Sequence, residues 1–188
     1  MNRKAWTIVG IIVVILILSI SFAASGFNKA RRMNEAVSAQ WAQVENQLKR
    51  RFDLIPNLVE TVKGYAAQEK TVFLGIAEAR KAYFSAQDVA GKAKAAGELE
   101  GALSRLLLLQ ERYPELKSNE NFMKLQDSLE GTENRISVER KRYNDLVREL
   151  NVYTKTFPGM FFASWAGVSQ AQYFNIPKAE TAVPQVKF

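Results

Sequence analysis

The first 24 residues contain a run of twenty residues, 5–24, without a single charge, and Ile8 to Ile20 is almost entirely isoleucine, valine and leucine. Twenty helical residues span about 30 Å, the thickness of the hydrocarbon core of a bilayer. A helix that is apolar on every side does not suit the surface of a water-soluble domain. The run therefore predicts a transmembrane anchor, with Trp6 as its interfacial aromatic residue and Ile8 and Ile20 facing lipid.

Two alternatives to a retained anchor follow from the same run. A buried core helix is disfavoured, because such helices are rarely this long and uniformly apolar. A cleaved signal peptide would use Arg3 and Lys4 as its basic region and the small residues around Ser21–Ala23 as its cleavage site. The run is longer than the apolar part of a typical signal peptide, which favours retention.

The charges that flank the run bear on its orientation. Arg3 and Lys4 precede it, whereas Lys29, Arg31 and Arg32 follow it. The positive-inside rule favours, by one charge, a cytoplasmic domain after the anchor. Arg31 and Arg32 lie close enough to the anchor to predict contact with lipid headgroups.

The composition excludes several kinds of chemistry. The chain has no cysteine and no histidine, so thiolate nucleophiles, imidazole bases and the usual zinc ligands are absent. We therefore expect no cofactor and no enzyme activity. The balance of 26 Lys and Arg against 19 Asp and Glu is basic, but the basic run at 49–51 lacks the interleaved aromatics of a nucleic-acid site. No nucleic-acid partner is expected.

Apolar residues recur at alternating spacings of three and four along most of the remaining chain, which is typical of helices in coiled coils and bundles. This spacing predicts one helix from Glu35 to about Gln87, bent near Phe52 because Pro56 removes a backbone hydrogen bond. Asp88 is a candidate N-cap for a second helix over 89–113.

The third long helix and a short fourth helix follow. Ser118 or Asn119 is the predicted N-cap of a helix that runs to about Thr156, and a short apolar helix is predicted over 160–168. The fold class is therefore all-α: a single N-terminal transmembrane helix plus an antiparallel bundle of three long helices and a short C-terminal helix. The predicted divisions are an anchor over 1–26, the bundle over 27–157, and an aromatic helix with an extended tail over 158–188.

Residues 48–66, which read LKRRFDLIPNLVETVKGYA, closely resemble the LemA family, and the resemblance continues at YPELK over 113–117 and TEN over 132–134. The resemblance implies a bacterial, membrane-anchored and mostly helical protein, which places it in the cytoplasmic (inner) membrane as a single-pass protein. It implies no particular biochemical activity. Relatives often carry a histidine before the position of Glu69, where this chain has Gln68.

Polar residues also fall within the apolar stripes of the long helices. Three interpretations of this predicted polar layer stay open: an ion-paired network that fixes the helix register, a ligand- or ion-binding layer, and a pair of catalytic carboxylates. The layer comprises Arg51, Glu69, Thr132, Glu139 and Arg140.

The last thirty residues carry many aromatic side chains for their length. These side chains either cap the bundle of their own chain, dock on a neighbouring subunit, or insert into the membrane interface. The candidate docking residues are Phe161, Phe162, Trp165, Tyr173 and Phe174.

Together, these features favour a non-enzymatic scaffold or adaptor that self-associates at a bacterial membrane. Its expected partners are membrane lipid through the N-terminal helix, further copies of itself, and an unidentified membrane-associated protein. A ligand-binding protein or carboxylate enzyme built on the polar layer is the first alternative, and an amphipathic protein that remodels membranes is the second.

Overall fold

The structure is a computed structural model that describes residues 3–176, with side chains from Trp6 onward. Within this range 87% of the residues are helical and none is in a strand, which confirms the all-α class. The predicted tail beyond Ile176 lies outside the described residues. The helices are α1 (Arg3–Ala66), α2 (Lys70–Ser85), α3 (Val89–Arg112), α4 (Pro114–Lys117), α5 (Glu120–Lys155) and α6 (Gly159–Trp165).

Helix α1 is 64 residues long and begins with the apolar run. This first part is long and apolar enough to cross a membrane, and none of its most apolar window is buried. The predicted boundary at residue 26 falls inside this continuous helix. Pro56 also lies inside α1, whereas the bend expected near Phe52 stays a prediction.

The prediction of a single helix from Glu35 to Gln87 is wrong, because the chain turns between Ala66 and Lys70. The amide of Glu69 donates to the carbonyl of Ala66, and the amide of Lys70 donates to that of Gln68. The apolar spacing continues across this turn because α1 and α2 face the same core. Periodicity reports which side of a helix is buried, and it does not report where the helix ends.

Two predicted caps are confirmed. The carboxylate of Asp88 accepts a hydrogen bond from the amide of Gly91 at 3.3 Å, at the start of α3. The side chain of Asn119 accepts one from the amide of Phe122 at 3.0 Å, at the start of α5. In both cases a side-chain oxygen satisfies a backbone donor that the first turn of a helix leaves unpaired.

The described residues fall into two compact units. Unit 2 contains Trp41–Tyr143 together with the chain from Gln172. Its core is formed by large apolar side chains from each of the long helices it contains. Fully or almost fully buried members are Leu48, Phe52, Ile55, Leu58 and Val62 of α1, Ile76 of α2, Leu99 and Leu106 of α3, and Phe122 and Ile136 of α5.

Three side-chain contacts fix the pairing of α1 with α5 inside unit 2. Trp41 packs on Tyr143, Arg51 pairs with Glu133, and Tyr65 bonds with Asn119. The first two contacts are ten residues apart on α1 and ten residues apart, in the opposite direction, on α5. The second and third contacts are fourteen residues apart on each helix. The two helices are therefore antiparallel and keep one register over about 36 Å, at 1.5 Å per residue.

Helices α2 and α3 form an antiparallel hairpin in unit 2. Glu69 at the start of α2 contacts Arg112 at the end of α3, and Tyr83 near the end of α2 contacts Lys92 near the start of α3. Phe52 of α1 stacks on the ring of Tyr83 at a centroid distance of 4.3 Å. The hairpin thereby covers the apolar side of α1.

Unit 1 contains the chain before Trp41 together with Asn144–Ala171. Here α6 packs directly against α1, because an ideal Cβ placed on Gly26 would overlap the ring of Phe162. The hydroxyl of Tyr153 donates to the carbonyl of Gly26 at 2.9 Å. Two residues after the end of α6, Gly167 has a φ of 66°. The amide of Val168 donates to the carbonyl of Ala163 at 2.9 Å, so α6 is closed by a Schellman cap.

Gly26→Ala is expected to release α6 from α1, since the added methyl group takes the place of the Phe162 ring. Chymotrypsin should then cut at Phe161 and Trp165 faster than in the parent protein. Gly64→Ala is the matched control, because no atom lies within 4 Å of its Cβ position, and alanine stabilises a helix interior by about 1 kcal/mol relative to glycine. Equal cleavage rates in the two variants would contradict the close packing of α6.

Candidate functional site

The predicted anchor residues Trp6, Ile8 and Ile20 are all exposed along the apolar part of α1. Arg31 and Arg32, the predicted headgroup contacts, are exposed as well. The guanidinium of Arg31 lies 5.9 Å from the centroid of the Phe27 ring. Headgroup contact by these two arginines stays a prediction.

The predicted polar layer begins with Arg51, which is only 9% exposed. Its guanidinium forms an ion pair with Glu133 of α5, and its Nε atom is buried without a hydrogen-bond partner. Thr132 is buried beside this pair and donates its hydroxyl to the carbonyl of Leu129 at 2.8 Å. Arg51 and Thr132 therefore lie together in the middle of unit 2.

Glu69 lies elsewhere in unit 2, in the turn between α1 and α2. Its carboxylate accepts hydrogen bonds from Arg112 at 2.7 Å and from the Tyr113 hydroxyl at 3.2 Å. The side-chain amide of Gln68 donates to the same hydroxyl at 2.6 Å. The pKa of Tyr113 is raised most by partial desolvation of its hydroxyl and next by the hydrogen bond to Glu69.

The other two predicted members of the layer lie on α5. Glu139 pairs with Arg142 at 2.8 Å on its own helix, and Arg140 is half-buried. The register of α1 and α5 places Asn119 beside the end of α1, whereas Glu139 is twenty residues further along α5, about 30 Å away. The structure therefore does not bring Glu69 and Glu139 into one layer, because they lie towards opposite ends of unit 2.

A second ion pair, half-buried between helices, was missed by the sequence reasoning. Lys92 of α3 pairs with Glu45 of α1, and its ammonium lies 5.9 Å from the Trp41 ring centroid and 5.8 Å from that of Tyr83. Burial of the hydroxyl, and to a smaller extent the nearby negative charge of Glu45, raises the pKa of Tyr83 to about 12. No local sequence signal could have found this cluster, since it joins residues about forty to fifty positions apart.

The aromatic C-terminal residues divide into those packed within the fold, of which Phe162 is half-buried, and those that are exposed. Phe174 is 1% exposed and packs on Trp41 at a centroid distance of 5.7 Å. Phe162 packs edge-on against Phe22 at 5.5 Å. Both contacts are made within the chain, and docking of this segment on a partner stays a prediction.

Asn151 holds the backbone that leads to Phe174, and its role was also missed. Its side-chain amide donates to the carbonyl of Ala171 at 3.0 Å and its oxygen accepts from the amide of Ala171 at 2.9 Å. The hydroxyl of Tyr143 donates to the carbonyl of Gln172 at 2.8 Å. An asparagine beside an apolar stripe gives no sequence signal for such a clamp.

The remaining aromatic residues are exposed. Phe157 packs edge-on against Phe161 at a centroid distance of 6.0 Å, and Phe161 and Trp165 are four residues apart on one side of α6; these three residues form the aromatic face. Their exposed fractions are 80%, 61% and 65%. Trp165 also meets Phe27 edge-on at 5.1 Å, and Tyr173 is exposed outside this face.

The fold and these surfaces define an all-helical bundle protein that carries one helix apolar enough to cross a membrane. The chain belongs to the LemA family, whose model matches residues 40–188. The resemblance noted from residues 48–66 is thereby confirmed.

The chain is also similar to proteins named magnetosome protein MamQ. It is 26% identical to the one from Magnetospirillum gryphiswaldense, over 93% of this chain and 75% of that protein. It is likewise 26% identical to MamQ 1 and MamQ 2 from Paramagnetospirillum magneticum, over 87% of this chain and 71% of those proteins. None of these names states a reaction.

Phe174→Ala is expected to lower the free energy of unfolding by about 3 to 5 kcal/mol, because it removes a fully buried phenyl ring. Tyr173→Ala is the matched control at the neighbouring, exposed position and should cost less than about 1 kcal/mol. Denaturant unfolding of the full chain in mild detergent, followed by circular dichroism, measures both. Equal losses would show that the segment after α6 does not dock as described.

Glu133→Gln is expected to cost about 1 to 3 kcal/mol, since it leaves the Arg51 guanidinium without a counter-charge while Glu133 itself is partly exposed. Glu60→Gln is the control, because it removes an exposed pair with Lys63 and should change stability by less than about 0.5 kcal/mol. The same unfolding measurement applies. Indistinguishable variants would show that the Arg51 pair does not stabilise the fold.

Proposed function

We propose that this protein is a non-enzymatic scaffold or adaptor, anchored in a bacterial membrane by the apolar part of α1, and that it associates with further copies of itself. The observation that carries the anchoring is the unburied apolar window at the start of α1. A run of twenty uncharged residues, most of them large and apolar, is unfavourable in water, whereas a bilayer covers it with lipid. The cytoplasmic membrane and a cytoplasmic bundle are part of this proposal.

The absence of a catalytic arrangement among the described residues supports the non-enzymatic role. The predicted polar residues are separated into an Arg51 pair, a Glu69 cluster and a Glu139 pair. Each carboxylate is already engaged by a cation, and the two proposed catalytic carboxylates, Glu69 and Glu139, are too far apart to act on one substrate.

The surface of unit 2 is the proposed site of self-association. Its interior is filled by apolar side chains and the ion-paired side chain of Arg51, and the Lys92 pair is half-buried. Leu74 of α2 and Leu108 of α3 are nevertheless more than half exposed. Exposed apolar side chains of this size are buried when such a surface meets another protein.

The test is the mass of the full chain in mild detergent, measured by light scattering during size-exclusion chromatography. A discrete oligomer is expected, and the double change Leu74→Ser with Leu108→Ser is expected to shift it towards the monomer. Val152→Ser is the control, because Val152 is equally exposed but lies in unit 1.

A monomer at every protein concentration would contradict self-association. An oligomer that persists in the double variant would contradict the assignment to Leu74 and Leu108 alone. Circular dichroism of each variant shows whether its helical content is retained, so that loss of the oligomer is not confused with unfolding.

A further inference from the structure

We propose that α6 lies in the headgroup region of the membrane that α1 crosses, with the aromatic face inserted towards the acyl chains. This inference rests on the proposed anchoring by α1. It concerns a second membrane contact, made by a segment more than 130 residues later in the chain. The occupant of the exposed aromatic face is then lipid.

The position of α6 along α1 supports this placement. Phe162 contacts Phe22 and Gly26, and Trp165 contacts Phe27. These α1 residues lie where the apolar run ends and immediately before its first following charge, at Lys29. If residues 5–24 fill the hydrocarbon core, Phe22–Phe27 lie at its boundary, and α6 is held at the same level.

The exposed side of α6 has the composition of an interfacial segment. The buried side of the helix is formed by small residues, Gly159 and Ala163, and the opposite side presents the aromatic face. No charged residue occurs from Thr156 to Ile176. Tryptophan and phenylalanine are favoured at the level of the headgroups, where a bulky ring meets both lipid and water.

The charges around α6 suit an anionic lipid surface. The charged residues nearest in sequence to the contact are all basic: Lys29, Arg31 and Arg32 on α1, and Lys155 at the end of α5. Lys29 lies over the ring of Tyr153 at 5.2 Å, which holds it beside α6. Basic residues close to an anionic membrane surface are attracted to it.

The exposed apolar surface of α6 is continuous with that of the α1 run, and this favours lipid over a protein partner. Phe162, next to the aromatic face on α6, contacts the exposed Phe22 at the end of the α1 run, and Trp165 of the face contacts Phe27. A bilayer that covers residues 5–24 therefore reaches the aromatic face without a change of surroundings. A second copy would have to cover this face at a level where lipid already surrounds α1.

The chain has three tryptophans, and each lies in a different environment. Their fluorescence therefore provides the test. Trp6 lies in the proposed anchor, Trp165 in the aromatic face, and Trp41 is half-buried in unit 2 against Tyr143 and Phe174. Three full-length variants each retain one tryptophan and carry phenylalanine at the other two positions. If Trp41→Phe lowers the helical content measured by circular dichroism, Trp41→Tyr replaces it.

Each variant is reconstituted in vesicles of phosphatidylcholine and phosphatidylglycerol, with or without bromine near the carbonyl end of the acyl chains. Brominated lipid is expected to quench the emission of Trp6 and of Trp165 to a comparable extent and to leave Trp41 unchanged. The emission of Trp165 is also expected to shift to shorter wavelength on reconstitution.

The outcomes separate this inference from the anchoring on which it rests. If Trp6 is quenched and Trp165 is not, α1 is anchored and α6 is not in the membrane; aqueous acrylamide then shows whether water or another protein chain surrounds Trp165, and either result overturns the inference. If Trp6 itself escapes quenching, the anchoring fails and the placement of α6 fails with it. Quenching of Trp41 as strongly as Trp165 would likewise overturn the claim of a specific contact.

Discussion

The burial of one apolar stripe of α1 determines the arrangement of unit 2. Leu48, Phe52, Ile55, Leu58 and Val62 are at most 2% exposed, and each buried side chain of this size contributes about 1.5 to 3 kcal/mol relative to exposure. The α2–α3 hairpin covers this stripe, and α5 runs antiparallel to α1 in a single register. The polar contacts of the unit follow from that register, since Arg51 meets Glu133 only when Tyr65 meets Asn119.

The sequence predicted the helical class, the apolar run and most helix boundaries, because these depend on local chemistry. Asp88 and Asn119 were found as caps because a side-chain oxygen before an apolar repeat has one common use. The turn at residues 67–69 was missed for a physical reason: two antiparallel helices facing one core continue the same spacing of apolar residues. Only Gly64 weakens α1 near this point, and a single glycine does not end a helix.

The predicted polar layer shows what periodicity cannot supply. Arg51, Glu69 and Glu139 were grouped because each occupies a position in an apolar stripe, and such positions say that a residue faces the core without saying at which level. With Glu69 in a turn rather than in mid-helix, its partners are Arg112 and Tyr113. The ion pair of Lys92 with Glu45 was missed for the converse reason, because both residues look like surface residues until α3 is placed against α1.

In the aromatic C-terminal segment some rings pack within the fold and others are exposed, and the sequence pattern alone does not show which are which. Phe162 and Phe174 occupy sites within the fold, and the Asn151 amide fixes the backbone between them. Phe161 and Trp165 belong to the same short stretch but point away from it. Water would be an unfavourable surrounding for these rings, and folding has not covered them although Phe162, beside them in sequence, is packed. Their exposure is therefore retained at a cost, and such a cost is expected where an apolar surface serves contact with lipid or with another chain. Because α6 is fixed to α1 at the end of its apolar run, lipid is the surrounding that requires no further rearrangement of the protein.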